Sequence, residues 1–250
     1  MATMPLLSSR TALVTGAARR VGAAIATALH AAGANLVIHY RSSQSEAETL
    51  VERFNRARGA SAVALRADLI DTAALPRLVD EAASAFGGLD ILVNNASSFH
   101  PTPIGKITLD SWDDLIGSNL KAPLFLSQAA APELRKRSGL ILNLVDIHGM
   151  RPLPDYPLYS VAKAGFIMLT RALARELGPE IRVNGIAPGP VMWPEGEIDA
   201  AMKAEIIRKT ALKRLGTPED VAQAALFFAT AAPFVTGQVL AIDGGRSLGW

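Results

Sequence analysis

Short runs of β-branched residues and leucine alternate along the whole chain with alanine-rich segments of helical period. The runs predict strands over residues 12–15, 35–39, 62–65, 91–94, 140–145, 182–186 and 239–242. The segments between them predict helices over residues 21–32, 45–58, 75–86, 112–137, 156–177 and 218–230. Because parallel strands need crossover helices, this alternation predicts an α/β protein with a doubly wound, seven-stranded parallel sheet. No repeat or flexible linker interrupts the sequence, so residues 1–250 are expected to form one domain.

Two predicted helices have recognisable starts. Ser45 with Glu48 three residues later predicts a capping box. Thr217 followed by Pro218 and Asp220 places a cap, a first-turn proline and an acid at a helix start.

The main predicted irregular segment is residues 185–197, which are rich in proline and glycine and include Trp193. This composition fits a substrate-binding loop and a long connection equally well.

Composition excludes several functional classes. The formal net charge is +2, which is too small an excess for a nucleic-acid binder to rely on. The absence of cysteine excludes disulfides, thiolate nucleophiles and cysteine-ligated metals. Residues 1–10 lack the features of a secretory signal, and the longest apolar stretch, 222–235, is shorter than the ~20 residues that span a bilayer. We expect a soluble, cytoplasmic protein that binds neither nucleic acid nor membrane.

A glycine-containing turn joins the first predicted strand to the first predicted helix. It runs from Thr15 to Gly22 and contains Gly16, which is the context of a dinucleotide-binding loop. Glycines let the backbone approach a pyrophosphate, and the helix amino terminus offers unpaired N–H groups. An ordinary strand-to-helix turn is the alternative. Arg20 stands where the usual pattern has its middle glycine, so it is either a phosphate ligand that also reaches the substrate or a solvated surface cation.

The end of the second strand predicts the type of cofactor. An acid at this point would bind the ribose hydroxyls of NAD, but no acid occurs here before Glu46. Arg41, Ser42 and Ser43 instead predict a 2′-phosphate site and therefore NADP(H), with a plain surface turn as the alternative. Asp68 after the third strand is either an adenine ligand or a turn former.

A tyrosine and a lysine share one face of a predicted helix. Tyr159 and Lys163 are four residues apart, so they can act together. A neighbouring ammonium favours the phenolate form of tyrosine, which predicts an acid–base catalyst near neutral pH.

These motifs resemble, in order and spacing, those of the short-chain dehydrogenase/reductase family. The resemblance rests on Thr15–Gly22, Asp68, Asn94-Asn95-Ala96, Asn119, Tyr159 with Lys163, and Pro188-Gly189, and it covers nearly the whole chain. It implies a three-layer Rossmann-like fold, a nicotinamide cofactor, a homotetramer that packs through helices 112–137 and 156–177, and a water-holding role for Asn119. The predicted cofactor residues are Gly16, Arg20, Val21, Gly22, Tyr40, Arg41, Ser42, Ser43, Asp68, Leu69, Asn95, Ala96, Ser97, Tyr159, Lys163, Pro188 and Gly189.

The clearest departure from the family pattern lies 13 residues before Tyr159, where the family has serine and this chain has Asp146. An ionised carboxylate only accepts hydrogen bonds, so it is poorly suited to polarising a ketone. It suits a substrate whose ring nitrogens need protons. An alternative role for Asp146 is to cap a neighbouring backbone segment.

Asp146, Arg20 and the segment 94–103 together resemble the pteridine reductases. That resemblance implies that Phe99 stacks on a pterin and that Ser97 and Arg20 contact both cofactor and pterin. It also implies that Asp146 and Tyr159 transfer protons. Taken alone, Phe99 is equally well explained as a loop anchor packed on the core.

The sequence therefore predicts an NADPH-dependent reductase of oxidised and dihydro pterins, with dihydrofolate as a further candidate substrate. The catalytic set is Asp146, Tyr159, Lys163 and Asn119, and the substrate set is Arg20, Ser97, Phe99, Asp146 and Tyr159. The scattered histidines predict no metal site. Two alternatives stay open: a carbonyl reductase such as a 3-oxoacyl carrier-protein reductase, and a non-catalytic NADP-binding module.

Overall fold

A parallel sheet of seven strands forms the centre of the computed structural model, which describes residues 6–193 and 199–249. The strands are β1 (Thr11–Val14), β2 (Asn35–Tyr40), β3 (Ala62–Arg66), β4 (Ile91–Asn94), β5 (Leu140–Leu144), β6 (Arg182–Pro188) and β7 (Val239–Ile242). Their order in the sheet is β3-β2-β1-β4-β5-β6-β7, and every neighbouring pair is parallel. The predicted seven-stranded, doubly wound sheet is confirmed.

Helices cover both faces of the sheet and complete three layers. They are α1 (Arg20–Ala31), α2 (Gln44–Ala57), α3 (Leu75–Phe86), α4 (Leu109–Ile116), α5 (Ala122–Arg135), α6 (Pro157–Glu176), α7 (Ala200–Lys209) and α8 (Pro218–Thr230). Successive strand residues point to opposite faces, so Val14 packs with Ile25 of α1 in one apolar cluster while Leu13 packs with Leu126 of α5 in the other. No helix in the described ranges is both long enough and apolar enough to cross a membrane.

The strand order reverses next to β1, which pairs with β2 on one side and β4 on the other. The chain leaves β1 and β4 in opposite directions here, and this opens a crevice at the carboxyl ends of the strands. Thr15, directly after β1, ties the two loops together because its Oγ1 accepts hydrogen bonds from the backbone of Asn95 and Ala96 at 2.9 and 3.0 Å. The fold therefore places its ligand crevice between the loops that carry the predicted motifs.

The predicted helix over residues 112–137 is present as one helical run from Leu109 to Arg135, but a π-helical turn that was not predicted lies inside it. The structure has α4, then a π-helical turn at Gly117–Lys121, then α5. Nδ2 of Asn119 donates to the carbonyl of Leu115 at 3.0 Å and so occupies the acceptor that the i−4 backbone bond of an α-helix would use. A π turn within a helical region is often a functional feature.

One of the two predicted helix caps is wrong. Helix α2 begins at Gln44, so Ser45 lies inside it, and Glu48 accepts a hydrogen bond from the Gln44 side chain at 2.7 Å. The cap of α8 is confirmed, because Thr217 and Asp220 form a reciprocal capping box.

The chain between β6 and α8 contains a helix that the sequence did not predict. Helix α7 begins after Asp199, whose side chain accepts from the backbone of Met202 at 3.3 Å. The predicted irregular segment 185–197 begins inside β6, which continues to Pro188, and residues 194–197 of it lie outside the described residues.

Candidate active site

A cavity of about 480 Å³ lies at the crevice between the β1 and β4 loops. Every predicted cofactor, substrate and catalytic residue lines it, with the single exception of Asn119. The structure therefore brings together residues that lie as far apart in sequence as Gly16 and Gly189.

The glycine loop leaves room for a ligand only because two positions lack a side chain. Gly16 has a φ of +59°, a conformation that favours glycine. At Gly22 an added Cβ would lie 2.6 Å from Nδ2 of Asn95. That amide donates to the carbonyls of Thr15 and Gly16 at 2.8 and 3.1 Å. The loop, the first turn of α1 and the β4 loop form one unit that fits the close approach of a phosphate group.

Arg20 has a backbone conformation that favours glycine. Its φ is +56°, in the left-handed region where a non-glycine residue is strained. The exposed guanidinium donates from Nη2 to the carbonyl of Trp193 at 2.9 Å, so it spans the mouth of the cavity. Such strain is characteristic of functional sites.

His39 is a cavity residue that the sequence analysis left unassigned. It is buried, and its Nδ1 accepts from the backbone N–H of Gly16 at 3.1 Å. Nε2 therefore carries the hydrogen and donates to the carbonyl of Ala67 at 3.1 Å. Burial lowers the pKa of His39 to about 4, which keeps the ring neutral. A neutral histidine thus links the β1, β2 and β3 loops.

The loops after β2 and β3 form the outer end of the cavity. Arg41 and Ser42 are exposed there, and Arg66 donates to the carbonyl of Arg41 at 3.3 Å. The nearest acid in sequence, Glu46, lies 3.8 Å from Arg19. Asp68 accepts from the backbone of Ile70 at 3.1 Å, which is the turn-forming role considered for it. The guanidinium of Arg41 therefore lines this end of the cavity.

Tyr159 and Asp146 form a direct contact at the inner end of the cavity. The Tyr159 hydroxyl donates to Oδ2 of Asp146 at 2.7 Å. Oδ1 of the same carboxylate accepts from the backbone N–H of His148 at 2.8 Å, so Asp146 caps a short 3₁₀ turn as well. Nζ of Lys163 donates to the carbonyl of Leu144 at 2.9 Å and lies 5.6 Å from the centre of the Tyr159 ring.

The pKa of Tyr159 is not shifted towards neutral pH in this arrangement, in contrast to the direction expected from its neighbour Lys163. Burial raises the pKa of Tyr159 well above its usual range, and the Asp146 carboxylate raises it further, while Ser97 acts in the opposite direction. Burial also lowers the pKa of Lys163 to about 8, although Asp146 partly offsets that effect. Tyr159 is therefore a phenol that keeps its proton and presents it to a carboxylate.

Asn119 lies beneath the cavity and is fully buried. Its Oδ1 accepts from Oγ of Ser97 at 2.6 Å, and its Nδ2 donates to the carbonyl of Ser98 at 2.9 Å. The π turn therefore supports the cavity wall through Asn119.

Phe99 is packed against two tyrosines and is 43% exposed. Its ring stacks on Tyr156 with a centroid separation of 4.6 Å and meets Tyr159 edge-on at 4.8 Å. Aromatic pairs favour both geometries. Phe99 is therefore anchored by packing, as its alternative role required, and still lines the cavity.

The arrangement can hold a dinucleotide at its outer end and a flat polar molecule beside Phe99, Asp146 and Tyr159. His39 and Ser118 also line the cavity, although no sequence motif assigns them to it. His39 could have been predicted from its position, because it directly precedes Tyr40 at the end of β2. Among residues 6–193 and 199–249, no group of three His, Asp or Glu side chains is placed to hold a metal ion.

Comparisons with known proteins agree with this geometry. The family model described as enoyl-(acyl carrier protein) reductase matches residues 16–247. The chain is 36% identical over 241 residues to the 3-oxoacyl-(acyl-carrier-protein) reductase FabG of Staphylococcus aureus, covering 95% of this chain and 98% of that protein. It is 37% identical over 278 aligned positions to pteridine reductase 1 of Leishmania tarentolae, covering 95% and 96% of the two chains.

The structural comparison gives the same result. A crystal structure from Sinorhizobium meliloti 1021, whose protein is described as a short-chain alcohol dehydrogenase, superposes with a TM-score of 0.93. The two sequences are 34% identical, and the match covers 99% of this chain and 100% of that one. The chain belongs to the short-chain dehydrogenase/reductase family of oxidoreductases.

Proposed function

We propose that this protein is an NADPH-dependent pteridine reductase, which reduces oxidised and dihydro pterins to the tetrahydro form. Dihydrofolate is a further candidate substrate. The observation that carries the proposal is the 2.7 Å hydrogen bond from Tyr159 to Asp146 at the inner end of the cavity. A carboxylate in that place favours a substrate with N–H groups and basic ring nitrogens over a simple ketone.

Reduction of a C=N bond adds a hydride to carbon and a proton to nitrogen. Tyr159 supports the proton half of this reaction, because its raised pKa keeps the hydroxyl protonated at neutral pH. Asp146 accepts the hydrogen bond from that hydroxyl and can also accept N–H groups at the edge of the substrate ring. Lys163, held by the carbonyl of Leu144, contributes positive charge beneath the Tyr159 ring.

Three further side chains support a flat heteroaromatic substrate. Phe99 offers an aromatic ring in the wall of the cavity and is held on one face by Tyr156. Ser97 presents a hydroxyl in the same wall, and Arg20 presents a guanidinium at the mouth. A stacking surface with polar groups around its edge is what a pterin requires.

NADPH would supply the hydride when bound. Its phosphates would lie against the glycine loop with Gly16, Arg20 and Gly22, and its 2′-phosphate against Arg41, Ser42 and Ser43. The cations at the outer end of the cavity support NADPH over NADH.

The direct test is oxidation of NADPH by the purified protein with dihydrobiopterin and with dihydrofolate as separate substrates. We expect turnover with at least one of them. Tight NADPH binding without turnover of either substrate would contradict the proposal. A Tyr159→Phe variant serves as the control, since it keeps the ring and removes the proton.

A second candidate is reduction of a 3-oxoacyl thioester. The similarity to FabG of Staphylococcus aureus over 98% of that protein favours it. Asp146 distinguishes the two candidates, since a carbonyl substrate gains from a hydroxyl donor there. If acetoacetyl thioesters are reduced faster than pterins, and Asp146→Ser increases that rate, the second candidate is correct.

If Tyr159→Phe leaves the cellular function intact, the protein acts instead as a non-catalytic NADP-binding module.

We further propose a homotetramer. Apolar side chains on α5 and α6 are exposed in the single chain, among them Phe125 and Met168, which are 39% and 60% exposed. Size-exclusion chromatography with light scattering tests this proposal, and a monomeric mass would contradict it.

A further inference from the structure

The segment of residues 97–100, which follows β4 and carries Phe99, is fixed to the helical region behind it. Ser97 and Ser98 are held by Asn119 of the π turn, as described above. The backbone N–H of Ser98 also donates to Oγ of Ser118 at 3.3 Å. These contacts place the segment but leave Phe99 itself without a polar anchor.

Asp114 on α4 binds the two residues on either side of Phe99. Its Oδ1 accepts from Oγ of Ser98 at 3.0 Å, and its Oδ2 interacts with Nε2 of His100 at 3.1 Å. Because an ionised carboxylate only accepts, Nε2 of His100 is the donor. One carboxylate thus bridges positions 98 and 100.

This bridge helps to fix the backbone that carries the Phe99 ring. The backbone on both sides of the ring is attached to one carboxylate, and the ring itself contacts only Tyr156 and Tyr159 among aromatic side chains of the described residues. If the bridge is removed, residues 98–100 can shift and the ring can turn away from the cavity. Asp114 itself lies outside the cavity lining, whereas Phe99 lies within it.

We propose that Asp114 is a positioning residue that holds Phe99 in the orientation needed to stack a flat aromatic substrate, and so helps to select that substrate class. The inference rests on the proposed pterin activity. It assigns Asp114 no contact with the substrate or the cofactor, so its effect should appear in substrate binding alone.

The test compares Asp114→Ala with Asp113→Ala, an exposed neighbour on the same helix. We expect Asp114→Ala to raise KM for dihydrobiopterin roughly tenfold and to change kcat and the NADPH dissociation constant by less than about twofold. Asp113→Ala should leave all three unchanged. Hydrogen exchange of residues 97–103 should be faster in Asp114→Ala than in the control.

A double-mutant cycle with Phe99→Leu separates positioning from a general structural effect. In the Phe99→Leu background, Asp114→Ala should no longer raise KM. If Asp114→Ala does not fold, the double variant Ser98→Ala/His100→Ala removes the same two donors and leaves α4 intact.

The outcomes are distinguishable. If the wild-type protein neither binds nor reduces pterins, the proposed function itself is wrong. If it reduces them but Asp114→Ala keeps the wild-type KM, or raises KM equally with and without Phe99, the role of Asp114 is wrong while the proposed function stands.

Discussion

The hydroxyl of Tyr159 donates a hydrogen bond of 2.7 Å to Oδ2 of Asp146, and both groups line the same cavity. Burial and this carboxylate raise the pKa of Tyr159, so the pair holds one proton between two oxygen atoms. The remaining oxygen of Asp146 is occupied by the backbone of His148. The pair is therefore oriented by its own hydrogen bonds.

Asp146→Asn should separate the charge of this residue from its shape. Asparagine can still accept from His148, so we expect unfolding stability to change by less than about 1 kcal/mol. Pterin kcat/KM should fall by roughly a hundredfold, because the neutral amide lacks the negative charge that the carboxylate presents to Tyr159 and to the substrate. Steady-state kinetics and chemical denaturation measure the two effects, and an unchanged kcat/KM would rule out a chemical role for the carboxylate.

Arg20→Gly should increase the stability of the fold and weaken the binding of substrate and cofactor. The φ of +56° at Arg20 is unfavourable for arginine and acceptable for glycine. We expect the free energy of unfolding to rise by about 1 kcal/mol, while KM for the pterin and the dissociation constant for NADPH both increase. Arg20→Lys is the control, since it keeps the strain and should not be stabilised. Equal stabilities of Arg20→Gly and Arg20→Lys would contradict the strain argument.

Arg41→Ala should reduce the preference for NADPH. Arg41 is exposed at the outer end of the cavity, and only NADPH carries the phosphate that it would bind. The dissociation constant for NADPH should rise roughly tenfold and that for NADH should stay the same. Fluorescence titration measures both constants, with Arg77→Ala on α3 as a control outside the cavity. A parallel loss for the two cofactors would show that Arg41 does not recognise the 2′-phosphate.

His39 should make the fold sensitive to acid. Burial lowers its pKa to about 4 from the usual 6.5, so between these values only the unfolded chain binds the proton. The stabilising contribution is present above pH 6.5 and is lost as the pH falls towards 4, by at most about 3 kcal/mol in total. His39→Asn can still accept from Gly16 but does not titrate in this range. Denaturation at several pH values should therefore show a steeper loss in the wild type, and parallel curves would exclude His39 as the cause.

The sheet was predictable because its strands are apolar runs bounded by turn residues. The residues that line the cavity at the strand ends were predictable from the order and spacing of the motifs. The π turn within the helical run was not predictable, because it depends on a side-chain contact from Asn119 to the Leu115 carbonyl. The contacts of His39 and Asp114 were also not predictable, since each side chain bonds to residues from other parts of the chain. Arg20 was identified by its departure from a pattern, but its strained backbone became visible only in three dimensions.

A competition assay in one mixture tests most directly whether the protein prefers a pterin to a 3-oxoacyl thioester. Dihydrobiopterin and an acetoacetyl thioester are supplied at equal concentration with limiting NADPH, and the two reduced products are quantified to give the ratio of kcat/KM values. We expect tetrahydrobiopterin to be the dominant product, and we expect Asp146→Ser to shift the product ratio towards the hydroxyacyl thioester. A dominant hydroxyacyl product from the wild-type protein would contradict it.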